Sequence, residues 1–124
     1  MAIKKVGVIG AGQMGSGIAH VVALAGYDVL LTDLTKEAVD KAIETIGRNM
    51  DRQIARGIIT VADKQAALQR ISYAPDYDAF ADCDLVIEAA TEDESVKRKI
   101  FTELSPKVKP DAIVASNTSS ISIT

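Results

Sequence analysis

The hexapeptide Gly10-Ala11-Gly12-Gln13-Met14-Gly15 carries glycine at its first, third and sixth positions. At that spacing a chain can turn tightly, bring its backbone against a diphosphate, and enter a helix packed closely on a strand. The start of such a helix offers unpaired N–H groups and partial positive charge to an anion. Asp33 follows at the end of the next apolar segment, where a carboxylate accepts hydrogen bonds from the adenosine ribose hydroxyls and repels a 2′-phosphate. The pattern therefore favours NAD over NADP, with Gly10, Ala11, Gly12, Gln13, Met14, Gly15 and Asp33 as the cofactor-binding set. Asp33 could instead cap the following helix, but Thr35 is available for that.

The elements needed to position these residues can be read from periodicity. Lys5-Val6-Gly7-Val8-Ile9 is a β-branched run without helical period and predicts a strand buried on both faces. Met14, Ile18, Val21, Val22 and Ala25 recur at helical spacing from Gly12 onward, with Gly26 as a stop signal. A second strand is predicted over Tyr27 to Asp33, and a long helix over Lys36 to Arg56 with Val39, Ala42, Ile43, Ile46, Met50 and Ile54 as its apolar stripe. Thr60 and Asp63 form a capping-box-like pair that opens another helix, which packs on the long one. Ile71-Ser72-Tyr73 is a short strand candidate, Asp76 to Phe80 a brief helical turn, Asp84 to Ala89 a buried strand, Ser95 to Val108 a helix, and Ala112 to Ala115 a last strand. Alternating strands and helices without a linker or repeat predict one α/β domain over residues 1–124. It is a Rossmann-type doubly wound parallel sheet with a long helical hairpin inserted after the second strand.

Composition narrows the function classes. Fourteen Lys and Arg against seventeen Asp and Glu give a net charge of −3, so no overall basic field exists for nucleic acid or an anionic membrane. Cys83 and His20 are the only residues of their types, which excludes an internal disulfide and any Cys-rich or multi-histidine metal site. No metal is expected, Cys83 reads as a buried thiol, and the chain reads as cytoplasmic. The far end, Ser116 to Thr124, neither frays into a polar tail nor closes a helix, and so reads as a cut.

Three segments together carry a family resemblance: the glycine hexapeptide, Glu88-Ala89-Ala90-Thr91-Glu92 after one strand, and Ala115-Ser116-Asn117-Thr118-Ser119-Ser120 after the next. Along its whole length the chain resembles the amino-terminal domain of the 3-hydroxyacyl-CoA dehydrogenases, and within them the bacterial 3-hydroxybutyryl-CoA dehydrogenases. That resemblance implies an NAD-dependent oxidoreductase of fatty acid metabolism that interconverts an L-3-hydroxyacyl-CoA and a 3-oxoacyl-CoA. It implies that Glu92 and Asn117 stand near the nicotinamide side of the cofactor, that Lys97 reaches both cofactor and CoA, and that Ser119 hydrogen-bonds the reacting oxygen. It also implies that CoA lies along the long helix, where Arg48, Arg52 and Arg56 share one face and Asn49 adds a polar contact. In the family the catalytic histidine, its paired glutamate and an all-helical dimerisation domain lie downstream. His20 on the first helix is therefore no candidate base, and the 124-residue chain is expected to bind NAD without turning over, the intact enzyme being a homodimer.

Overall fold

The computed structural model describes residues 3–116. Five parallel strands, β1 (Lys5–Ile9), β2 (Asp28–Thr32), β3 (Ile71–Tyr73), β4 (Leu85–Glu88) and β5 (Ile113–Ser116), form one sheet in the order β3-β2-β1-β4-β5. The chain builds outward from β1 to β3 and then crosses to β4 on the other side. The strand order thus reverses beside β1, where open α/β sheets form their ligand crevice.

Alternation along each strand sends its residues to two separate cores. Val6, Val8, Val29 and Leu31 pack beneath α1 (Gln13–Leu24), α2 (Lys36–Ala55) and α3 (Val61–Arg70). Ile9 and Val86 pack on the opposite face with Phe80 of a 3₁₀ segment (Tyr77–Asp82), Cys83 just after it, and Ile100 and Leu104 of α4 (Glu94–Leu104).

Local chemistry explains the element limits. The Thr35 hydroxyl accepts from the Ala38 N–H at 3.1 Å and starts α2, whose buried stripe is Val39, Ala42, Ile46 and Met50. Thr60 and Asp63 form the reciprocal capping box of α3, and Arg70 donates to the Ala23 carbonyl at 2.8 Å, tying the α2–α3 hairpin to α1. The short candidate at Ile71–Tyr73 becomes the edge strand beside β2. One expected limit is corrected: α4 ends at Leu104 rather than Val108. Pro106 lacks an N–H and its ring would strike the carbonyl four residues back, so the helix stops two residues before it.

Below the crevice, at the opposite end of β4, Asp84 fastens the sheet. Its Oδ2 accepts from the Lys4 and Lys5 N–H groups at 2.8 and 3.1 Å, and its Oδ1 accepts from the Lys109 ammonium. The Lys109 hydrogen bond first, then the two backbone donors, hold its carboxyl at about 2, down from 3.8. A carboxyl lowered on folding stabilises the fold above its unfolded value and loses that effect as pH falls through the folded one. Asp84→Asn should therefore lower Tm at neutral pH, and the gap to the parent should close as pH falls from about 4 to about 2; thermal unfolding across that range checks it, and a pH-independent gap would deny the ionised carboxylate its role.

Candidate functional site

Above β1 the chain turns through the glycine hexapeptide. Gly10 has φ +111°, and a Cβ there would lie 2.7 Å from the backbone of Ala89 and Ala90. Gly10 also donates to the Thr32 carbonyl at 2.8 Å. A Cβ on Gly15 would sit 1.7 Å from the Gly10 carbonyl oxygen, so the first turn of α1 can close on the end of β1 only because both residues lack side chains. Ser16 completes the turn by donating from Oγ to the Ala11 carbonyl at 3.1 Å.

Gly12 differs from both. A Cβ there would meet nothing within 4 Å, so its lack of a side chain relieves no internal crowding and leaves open space against the backbone. Gly12 is the N-cap of α1 and offers no side-chain acceptor, and the first turn holds no acid. The helix start therefore presents N–H donors that neither its cap nor its first turn complements, which suits an anion. Gln13 and Met14 are exposed beside it.

Asp33 is tied to this turn. Its Oδ2 accepts from the Ala11 N–H at 2.7 Å and its Oδ1 from the Leu34 N–H at 2.6 Å, while Thr35 takes the capping role. A carboxylate has about four acceptor sites, so two bonds leave capacity for a diol. The carboxylate borders a cleft of about 670 Å³ whose walls include Gly10, Leu34, Pro75, Tyr77 and Ile100. Apolar walls beside a few placed polar groups suit a nucleotide-sized molecule. The donors, the open backbone and the acid together fit a dinucleotide.

On the other side of β1 lies a buried charged cluster. Glu88, the last residue of β4, is 0% exposed. Its Oε1 accepts from the Lys97 ammonium and from Ser116 Oγ at 2.8 Å, and its Oε2 from the Ala90 and Thr91 N–H groups at 2.7 and 3.2 Å. Lys97 also donates to Ser116 Oγ at 3.0 Å. Burial by itself would raise the Glu88 carboxyl, but the bonds from Lys97, Ser116 and Ala90, with the lysine charge, hold it below its ordinary value. Removing either charge would strand the other in the interior, which costs about 3–5 kcal/mol.

Lys97, expected by resemblance to reach both cofactor and CoA, meets Glu88 and Ser116 in the interior. It is 5% exposed and its ammonium turns inward. A signal for this exists, since Lys97, Ile100 and Leu104 recur at helical spacing and are the buried residues of α4. Sequence reasoning also passed over Glu88 and Ser116 as functional groups, although a carboxylate ending an apolar strand is itself a mark of buried charge. Glu92 is exposed between β4 and α4, four residues from the acid that the fold buries. Asn117 and Ser119 lie outside the described residues. Arg48 and Arg52 are exposed on α2 and Arg56 is exposed at its C-cap, one residue beyond the helix; Arg48 bonds Glu44 and Thr45, and Arg52 reaches Asn49 at 3.3 Å. His20 Nε2 lies 2.7 Å from Gln53 Oε1, in the layer opposite α4. Cys83 is buried and desolvation pushes its thiol up to about 11, which makes it inert.

Comparison with known proteins agrees with this geometry. Residues 5–124 match the family described as 3-hydroxyacyl-CoA dehydrogenase, NAD binding domain. A 3-hydroxybutyryl-CoA dehydrogenase of Bradyrhizobium diazoefficiens is 59% identical over 122 residues, and one of Mycobacterium tuberculosis 44% identical over 123. Each alignment covers 98% of this chain but only 42% and 43% of those relatives. The crystal structure of (S)-3-hydroxybutyryl-CoA dehydrogenase from Ralstonia eutropha superposes with a TM-score of 0.95 at 45% identity, over 99% of this chain and 44% of that one.

The glycines make separable predictions. Gly12→Ala should fold with a loss of no more than about 1 kcal/mol yet bind NAD at least about tenfold more weakly, whereas Gly15→Ala should lose the closed turn and much of the stability. Thermal unfolding paired with NAD titration distinguishes the two, and undiminished NAD affinity in Gly12→Ala would place the diphosphate elsewhere.

Proposed function

The chain belongs to the 3-hydroxyacyl-CoA dehydrogenase family, corresponding to its NAD-binding domain, and from that premise we propose that it serves the interconversion of an L-3-hydroxyacyl-CoA and a 3-oxoacyl-CoA. The similarity to 3-hydroxybutyryl-CoA dehydrogenases supports a short acyl chain. The chain spans less than half the length of those relatives, so the reaction is that of a whole protein to which this domain contributes the cofactor half.

When bound, NAD supplies the hydride acceptor. The chain's own groups bind and orient. The α1 N–H donors and the open backbone at Gly12 receive the diphosphate, and Asp33 receives the adenosine ribose. Glu92 and Asn117 are assigned to the nicotinamide side, and Ser119 to a hydrogen bond with the reacting oxygen. His20 is assigned no proton transfer, because it is engaged with Gln53 on the far layer of the sheet. Arg52, Arg56 and Asn49 are assigned to the phosphates of CoA, which guanidinium forks suit; Arg48 is already drawn to Glu44. Fatty acid metabolism, a cytoplasmic setting consistent with the single reduced Cys83, and a homodimer formed outside this domain complete the reading. No helix among the described residues is long and apolar enough to cross a membrane.

The observation that carries this reading is the bond from the Ala11 N–H to Asp33, which holds an acid beside the phosphate turn. Calorimetric titration should show NAD preferred to NADP by at least about tenfold, or about 1.4 kcal/mol. In Asp33→Ala, NAD affinity should fall much further than NADP affinity; equal affinities in the parent would remove the ribose role. For the substrate side, the double variant Arg52→Ala, Arg56→Ala should weaken CoA binding by about tenfold, within the range of a lost charge-assisted contact. Unchanged CoA affinity would leave the arginines as a solvated face.

A further inference from the structure

The Glu88, Lys97 and Ser116 cluster is not needed to pair its strands. Backbone register already joins Ile9 to Glu88 and Glu88 to Ser116 across β1, β4 and β5. Nor does stability explain it, since a buried ion pair roughly breaks even against apolar residues of similar size. Its distinguishing property is what it connects. Through Oε2 Glu88 gathers the Ala90 and Thr91 N–H groups, shaping the turn whose backbone crowds Gly10. Through Oε1 it grips α4 by Lys97 and the last residue of β5 by Ser116.

All of this lies on the β4–β5 side of the crevice, opposite Asp33 at the end of β2. A dinucleotide anchored by its adenosine ribose at Asp33 and its diphosphate at α1 extends its other half over β4 and β5. Ser116 immediately precedes Asn117 and stands three residues before Ser119.

We propose that Glu88, Lys97 and Ser116 are positioning residues for the nicotinamide half of the cofactor: a buried clasp that sets the ends of β4 and β5 at a fixed spacing beneath it. The clasp rests on the NAD reading and adds to it a division of labour. Asp33 and the glycine turn hold the adenosine diphosphate half, and the clasp governs the remainder.

The test separates the two halves by ligand. Affinities for NADH and for ADP, which lacks the nicotinamide and its ribose, are measured by calorimetry for the parent chain, Ser116→Ala, Ser116→Thr and Glu88→Gln. Ser116→Ala removes one hydroxyl and keeps the ion pair, so it preserves the fold even if Glu88→Gln does not. It should bind NADH about fivefold to tenfold more weakly, the effect of one lost buried hydrogen bond, with ADP affinity unchanged within about twofold. Ser116→Thr restores the hydroxyl and should recover NADH affinity. A parent-like ratio of NADH to ADP affinity in Ser116→Ala would overturn the proposal, as would equal loss of both ligands. Failure of the parent chain to bind ADP would instead overturn the cofactor reading beneath it.

Discussion

At Gly10 the end of β1, the first turn of α1 and the turn after β4 approach more closely than side chains allow. A Cβ would collide with Ala89 and Ala90 on one side, and a Cβ on Gly15 would collide with the Gly10 carbonyl on the other. The glycine turn, the start of α1 and the Asp33 carboxylate bonded to Ala11 all take their positions from that convergence. Backbone against backbone is a stiff contact, because no rotamer can relax it. The crevice is consequently shaped before any ligand arrives, which spares binding the cost of ordering the loop.

The two acids of the β4 region show how position decides what a carboxylate does. Asp84, at the lower end, collects two backbone N–H groups and Lys109 and fastens the start of β1 to the sheet. Glu88, at the upper end, collects two backbone N–H groups, Lys97 and Ser116, but does so under the crevice. Both satisfy their acceptors with the same kinds of donor. The difference is their height on the strand: parallel sheets gather ligands at carboxyl ends, so only the upper cluster can bear on binding.

The helical hairpin of α2 and α3 is a separate layer of the design. One face of α2 is spent on the core through Val39, Ala42, Ile46 and Met50, and α3 braces it through Ala67 and the Arg70 bond to α1. The outer face stays polar, with Arg52 and Arg56 exposed toward its C-terminal end. Burial on one side holds the helix in place while the other remains exposed and charged, a division that an amphipathic period imposes.

Much of this was legible along the chain. The glycine spacing, Asp33, the Thr35 cap and the Thr60–Asp63 box depend on neighbours a few residues away, the strands on short apolar runs, and the helical stripes on a period of 3.6. Local steric and hydrogen-bonding rules suffice for such features, and family likeness in three short segments was enough to indicate the chemistry. The meeting of Glu88, Lys97 and Ser116 was not legible, nor was the inward turn of Lys97. These residues are nine and nineteen positions apart, and they become neighbours only when the β4–α4–β5 unit closes. Sequence can show that a charge stands at the end of an apolar strand; which opposite charge reaches it in the interior depends on how the layers pack. Burial makes that pairing obligatory, because an unpaired charge there would be too costly to keep.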